Sequence, residues 1–264
     1  MKVAVLGSGS RGNSVAVTAQ NQTLLIDAGF GPRAVVRRAR AAGLDIESIS
    51  GILLTHEHVD HTREAANVAR VFDCPIFGSA GTLAALEPKL NGANVQQIKT
   101  HQVYQIPPFS VTACLTSHDA AESLAFMLEC PETGGARLGV AYDLGRASSA
   151  VRFLLRGCHC LIVEANHDET MLRTGPYPAA LRRRISGVDG HLSNREAATL
   201  LADLCHKDLQ AVVLAHLSEK NNEPWLAERA VREAMSESGY AGELMVAGQS
   251  QPLPFIEVIG SKNA

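Results

Sequence analysis

The segment Thr55-His56-Glu57-His58-Val59-Asp60-His61 sets three histidines and an aspartate within six residues. It follows the apolar run Gly51–Leu54 and precedes a helical pattern, so it reads as a loop leaving the end of a buried strand. On such a segment His56 and His58 can converge on one ion, and the turn can aim Asp60 and His61 at a second. Imidazole and carboxylate without thiolate suit Zn²⁺, Mn²⁺ or iron. Two ions need more ligands than one loop supplies, and those should come from strands that end at the same rim. His118 after Val111–Ser117, Asp143 after Leu138–Tyr142 and His216 after Ala211–Ala215 stand at such ends and complete two coordination shells.

The elements that must hold these residues are legible as short β-branched runs alternating with helical patterns. Further strands are expected at Val3–Leu6, Ser14–Thr18, Thr23–Ile26, Pro75–Phe77, Leu124–Glu129 and Leu161–Glu164. Helices are expected near Pro32–Ala42, His61–Phe72, Gly81–Leu86, Ala147–Leu155, Pro178–Ile185, Asn194–Cys205 and Glu223–Ser238, from apolar residues at i, i+3 and i+4. The tail Gln251–Phe255 reads as a final extended segment. Two clusters of strands, each followed by helices, predict an α/β fold in which two mixed sheets pack face to face between outer helices, an αββα sandwich. The chain has 264 residues, 46% of them hydrophobic, which is enough apolar material for one domain over 1–264 and leaves no compositional case for disorder.

Several functional classes drop out early. Gly7-Ser8-Gly9-Ser10-Arg11-Gly12 matches GxGxxG after the first strand, but Asn13 leads into an alternating, hairpin-like stretch, and no helix N-terminus follows to take a pyrophosphate. No nucleotide cofactor is expected. A sharper role for this loop sets its backbone N–H groups, Ser8 and Asn13 beside a phosphate. No apolar run reaches the roughly 18 residues of a membrane span and the N-terminus has no signal-peptide pattern, so a cytoplasmic protein with no membrane partner is expected. The six cysteines have no disulfide spacing; Cys158-His159-Cys160 lacks an answering pair and reads as buried small hydrophobes. With 24 basic and 27 acidic residues, any attraction to a polyanion must be local.

In order along the chain, GSGSRGN, LLIDAG, THEHVDH, SHDA, AYDLG, EANHD, GHLSN and LAHLSEKNN resemble the metallo-β-lactamase fold of dinuclear hydrolases. The last segments are similar to the YycJ/WalJ (VicX) group, which implies a bacterial 5′→3′ DNA exonuclease tied to mismatch repair. The resemblance makes His56, His58 and His118 the ligands of one divalent ion, zinc or manganese. Asp60, His61 and His216 hold the second, and Asp143 bridges. The group also resembles β-CASP nucleases, in which an acidic residue supports a histidine near the scissile phosphate; Glu164 and His191 occupy the matching places. Only 26 residues separate those two, too few for the cap domain that β-CASP enzymes insert there, which argues against borrowing an RNA-processing role.

The expected chemistry is in-line attack on phosphorus by a hydroxide formed from a water whose pKa two metal ions lower to about 7, with His191, oriented by Glu164, protonating the leaving 3′ oxygen. Asp60, His191 and Glu164 are thus the catalytic candidates. Arg173, Arg182, Arg183 and Arg184 form a basic cluster between Glu164 and His191, and Arg182, Arg183 and Arg184 in particular suit a DNA backbone, with RNA left open. The Gly7–Asn13 loop together with Ser193 and Asn194 is a candidate for a 5′-end pocket, and Ser193 or Asn194 also suits a helix cap. His101, His159, His167 and His206 fit no shell and read as surface or structural, His167 lying beside Glu164. Two other classes use the same ions: a small-molecule hydrolase of a thioester, lactone or cyclic phosphodiester, and a metal-containing regulatory scaffold. Oligomeric state is not legible.

Overall fold

A computed structural model of the chain describes residues 1–90 and 92–260. The last four residues of the expected 1–264 unit lie outside that description. The first half forms β1 (Lys2–Gly7), β2 (Ser14–Ala19), β3 (Gln22–Ile26), β4 (Ile49–Leu53), β5 (Ile76–Gly78) and β6 (Val95–Gln97). The second half forms β7 (Val103–Ile106), β8 (Phe109–Leu115), β9 (Leu124–Cys130), β10 (Ala136–Ala141), β11 (Cys160–Glu164), β12 (Ala211–Ala215) and β13 (Glu243–Val246), and β14 (Ile256–Glu257) returns to β1. One sheet has the order β14-β1-β2-β3-β4-β5-β6 and the other β13-β12-β11-β10-β9-β8-β7. Both are mixed: β3 to β6 run parallel, as do β10 to β13, while the rest pair antiparallel.

The helices are α1 (Pro32–Ala41), α2 (Val59–Thr62), α3 (Ala65–Phe72), α4 (Ala80–Leu86), α5 (Ser149–Leu155), α6 (Glu169–Thr174), α7 (Ala179–Ile185), α8 (Asn194–Leu204) and α9 (Pro224–Ser236). Alternation along each strand sends its side chains to two cores. Val3 and Val5 of β1 meet Phe109, Phe126, Val140 and Val213 between the sheets, whereas Ala4 and Leu6 join Val35, Ala39 and Val68 under α1 and α3. On the other sheet Val163, Val212 and Leu214 face Leu155, Leu201 and Val231 of α5, α8 and α9. The result is the αββα sandwich expected from the sequence, with strands buried on both faces as parallel sheets require.

Three differences have physical causes. The helix expected over His61–Phe72 is broken into α2 and α3, because Ala28 N donates to His61 O at 2.7 Å and Glu64 N donates to Ala28 O at 3.0 Å. Those two groups bond the neighbouring loop instead of extending a helix. The strands not foreseen, β6, β7 and β13, are all edge strands, where partial exposure removes the apolar alternation. Helix α6 was also not foreseen; it buries only Leu172 and starts on the side chain of Asp168, which accepts from Met171 N at 2.8 Å. In the tail the strand falls at Ile256–Glu257, just past Gln251–Phe255.

Candidate metal centre

Parallel strands end together, and that places the chemistry. Asp27 follows β3, the histidine segment follows β4, Asp143 follows β10, Glu164 ends β11 and His216 follows β12. His118 reaches the same rim because β8 is two antiparallel steps from β10 and so runs in its direction. At Asp27, Asp143 and His216 the backbone turns left-handed, with φ of 61°, 56° and 54°, a conformation that Asp, Asn and His tolerate better than most residues. The sheets are also tied at this rim: Tyr142 OH donates to Asp27 at 2.8 Å and Leu124 N to Thr55 O at 2.8 Å. Gly29 lets the loops meet, since a Cβ there would stand 2.1 Å from Asp60 O.

The seven residues singled out from the sequence converge. Ligand atoms of His56, His58 and His118 lie within 4.8 Å of one another, as do those of Asp60, His61 and His216, and those of His56, His61 and Asp143. His118 Nε2 is 3.3 Å from His58 Nδ1, and His61 Nε2 is 3.3 Å from Asp60 Oδ2 and 3.1 Å from Asp143 Oδ2. Of the buried atoms here, His56 Nε2 has no hydrogen-bond partner, and Asp143 Oδ2 has only the His61 Nε2 approach, which lacks hydrogen-bond geometry. Buried polar atoms are rarely left so. Orphaned nitrogen and oxygen among convergent imidazoles and carboxylates fit a divalent cation, and among the described residues no group of this kind contains a cysteine. Cys158 and Cys160 are buried with their thiols pushed up, Cys158 to about 12, so neither offers a thiolate.

The surroundings choose which imidazole nitrogen faces the cleft. Asp27 Oδ2 takes His61 Nδ1–H at 2.7 Å, and the Asp27 carboxylate is itself fixed by Thr55 N at 2.8 Å and Thr55 Oγ1 at 2.9 Å. Asn13 Nδ2 lies 3.1 Å from both His61 Nε2 and Asp60 Oδ2. Burial opposes a proton on His61, yet Asp27 and Asp143 outweigh it and raise its pKa. His216 is likewise penalised by burial but pushed up to about 10 by Asp143, Asp60 and Glu164. Burial and the neighbouring histidines hold His56 low. Burial would raise Asp60, but His216 and His61 keep it ionised well below the carboxylate range.

Across the cleft, His191 Nδ1 lies 2.6 Å from Glu164 Oε1, and Glu164 Oε2 accepts from Leu144 N at 2.8 Å and Leu192 N at 3.2 Å. The His191 ring stacks on His216 at 5.4 Å between centroids. Its burial disfavours charge, but Glu164 and Asp143 raise its pKa above the ordinary histidine value. Gly190 positions the ring's backbone against α7, where a Cβ would stand 2.1 Å from Ile185 O. The cleft has a volume of 270 Å³, with Tyr177, Leu181 and Arg184 at its wall. Arg184 Nε donates to Asp119 at 2.5 Å.

The remaining candidates are less uniformly placed. Ser8 and Asn13 are buried behind the cleft: Ser8 Oγ accepts from His216 N at 2.8 Å and donates to Asn13 Oδ1 at 3.1 Å. Ser193 caps α8 in a reciprocal capping box with Glu196. Asn194 is paired amide to amide with Asn222 at 2.8 and 2.9 Å. Arg182 and Arg183 line a different cavity from Arg184. Sequence reasoning gave no role to Asp27, Tyr142 or Tyr177; the LLIDAG segment was the available signal for Asp27.

A sequence profile for the Beta-lactamase superfamily domain matches residues 22–217. Exodeoxyribonuclease YycJ of Bacillus anthracis is 34% identical over 244 residues, 89% of each chain. The chain belongs to the YycJ family of the metallo-β-lactamase superfamily. Exodeoxyribonuclease WalJ of Streptococcus pneumoniae is 26% identical over 242 residues, 90% of this chain and 89% of the relative. The fold is shared with Zn²⁺-bound PqqB from Methylobacterium extorquens, with a TM-score of 0.69 at 19% identity over 96% of this chain and 99% of that one. In this YycJ-family chain the matched span runs from β3, which delivers Asp27, to just past His216, and so holds all seven convergent residues. No helix among the described residues is long and apolar enough to cross a membrane.

Proposed function

We propose that the protein is a metal-dependent exodeoxyribonuclease that degrades DNA from the 5′ end, and that the mismatch-repair role implied by the sequence resemblance extends to it. The observation that carries the reading is the His191–Glu164 pair, 2.6 Å apart and facing the convergent imidazoles and carboxylates, in a family whose relatives are exodeoxyribonucleases. Two divalent cations, zinc or manganese, would be held by His56, His58 and His118 and by Asp60, His61 and His216, with Asp143 between them. When bound, they supply Lewis-acid polarisation of the phosphodiester and activation of the nucleophile.

The chain's own groups do the rest. Glu164 engages His191 Nδ1 and, with Asp143, raises the ring's pKa, which favours the protonated form whose Nε2–H can be given to the leaving 3′ oxygen. Asp27 fixes His61 in the tautomer whose Nε2 faces the cleft. Arg184, tethered to Asp119, offers a guanidinium at the wall where a phosphodiester would enter. All six cysteines are free thiols, which supports a reducing cytoplasm as the site of action.

Digestion of 5′-labelled and 3′-labelled double-stranded DNA by metal-reconstituted protein, with Asp60→Ala as control, tests this reading. Mononucleotides released from the 5′ end, and absent with Asp60→Ala, are the expected result. Intact DNA with both Mn²⁺ and Zn²⁺, in protein shown to hold two ions, would overturn it in favour of a small-molecule hydrolase.

A further inference from the structure

Helix α7 divides the basic run of the sequence. Arg184 turns to the metal cleft, whereas Arg182 and Arg183 line a second cavity of 380 Å³ together with His167, Leu172, Arg173 and Ser186. The two cavities share no lining residue. Arg182 Nη1 donates to the carbonyl of Arg173, which pins its side chain across the loop joining α6 to α7. Glu169 also lines the cavity, and its charge is offset by Arg195, whose Nη2 and Nε donate to Glu169 Oε1 at 2.8 and 3.0 Å. That leaves three guanidinium groups with no ion pair among the described residues.

A second observation points the same way. His167 is 1% exposed, is held by a backbone bridge to Ser193, and has a buried Nδ1 with no hydrogen-bond partner. A native interior seldom leaves such an atom unpaired. Three guanidinium groups without an ion pair at the wall, with the buried His167 ring behind them, are suited to a doubly charged, multi-acceptor anion. The volume exceeds the need of a bare phosphate and falls in the range of about 300–1,000 Å³ typical of small-molecule sites. Leu172 and Ala179 give an apolar wall on which a sugar or base can lie.

We propose that this cavity binds a nucleoside 5′-monophosphate unit, its phosphate on Arg173, Arg182 and Arg183 and its nucleoside against Leu172. The anion chemistry stands on the cavity alone; the choice of a nucleotide rests on the nuclease reading. The occupant is a released mononucleotide or a nucleotide still in the strand, and the two give different results below.

Calorimetric titration of dTMP, thymidine and inorganic phosphate into the metal-loaded full chain, into Arg173→Ala and into Arg183→Ala tests the site. Both arginines are exposed, so the fold is expected to persist, checked by an unchanged Tm. Phosphate binding at the metal centre is common to all three proteins and cancels in the comparison. The expected result is dTMP binding at least about tenfold tighter than thymidine or phosphate, weakened about tenfold by each substitution. Equal dTMP affinity in the three proteins overturns the site, and inorganic phosphate binding as well as dTMP overturns the nucleotide assignment. A KM on 5′-phosphorylated duplex that rises with Arg173→Ala by the same factor identifies a strand nucleotide; an unchanged KM identifies the free mononucleotide. DNA left uncut while dTMP still binds would sink the nuclease reading and leave the cavity standing.

Discussion

Asp27 Oδ2 sits 2.7 Å from His61 Nδ1, and Tyr142 OH closes on the same oxygen at 2.8 Å. One carboxylate, wholly buried between the two sheets, therefore sets the tautomer of a cleft histidine and ties β10 to β3. A histidine that holds a metal through one nitrogen commonly donates the other N–H to such a partner, and losing the partner costs about 10–100-fold in metal affinity. Asp27→Asn is expected to weaken metal binding by that factor in a chelator competition while leaving most of the fold. Asp27→Ala would do more, because Thr55 N–H and Tyr142 OH would lose their buried acceptor, at about 1–3 kcal/mol for each group left unpaired. Wild-type metal affinity in Asp27→Asn would remove Asp27 from the positioning role.

His191 and Glu164 make the next test. His191→Ala is expected to lower kcat by about 10²–10⁴-fold with bound metal unchanged. The pH profile separates a proton donor from a structural ring. Burial disfavours charge on His191, but Glu164 and Asp143 raise its pKa, so the acid form survives above the ordinary histidine value and kcat should fall only as pH climbs through the raised one. Glu164→Gln removes the main raising influence, and the alkaline limb of kcat should move to lower pH. An alkaline limb that stays in place would discard the assignment of His191 as donor.

Much of this centre was legible because its residue types are improbable where they stand. A strand end carrying His56, His58, Asp60 and His61, followed by His118, Asp143 and His216 at later strand ends, constrains the fold: only a sheet whose strands finish together can gather them. The double-sided burial of β11 and β12 was equally visible in the apolar runs Cys160–Val163 and Ala211–Ala215. Edge strands β6, β7 and β13 were not, since exposure erases their pattern. The division of Arg182 and Arg183 from Arg184 was invisible for another reason. Adjacent residues on a helix point about 100° apart, so a run of like charges in sequence says nothing about how α7 distributes it between two cavities. Asn13 and Ser8 were read as facing a phosphate, but a loop sequence alone does not tell whether its polar groups turn outward or, as here, support Asp60 and His216 from behind.

Metal binding should depend on pH in a direction the site fixes. Burial opposes a proton on His216, yet Asp143, Asp60 and Glu164 push its pKa up to about 10 from 6.5. In the metal-free protein that charge stabilises the fold fully below about pH 6.5, and the contribution fades as pH rises toward 10. A cation can take His216 Nε2 only after the proton leaves, so binding releases protons and apparent affinity grows with pH. Chelator competition at intervals between about pH 6.5 and 8.5 should show tightening of up to about tenfold per pH unit for each proton released. The Tm gap between metal-loaded and chelated protein should widen over the same interval. A pH-independent affinity would mean that His216 is not a ligand.

Gly29 tests whether loop contact, and not only ligand identity, builds the centre. A Cβ at this position would stand 2.1 Å from Asp60 O and 2.6 Å from Asn13 N, both backbone atoms that cannot swing aside as a side chain can. The loops would have to part, and Asp60 would move away from Asn13 Nδ2 and His61 Nε2, now 3.1 and 3.3 Å from its Oδ2. Overpacking of this kind costs about 1–3 kcal/mol. Gly29→Ala is therefore expected to lower Tm and, more tellingly, to lose metal measured per folded molecule. Gly248→Ala is the matched control, since an added methyl there meets nothing within 4 Å, and it should keep both Tm and metal. Full metal occupancy in folded Gly29→Ala would show that the cation itself can hold Asp60 in place against the displaced loop.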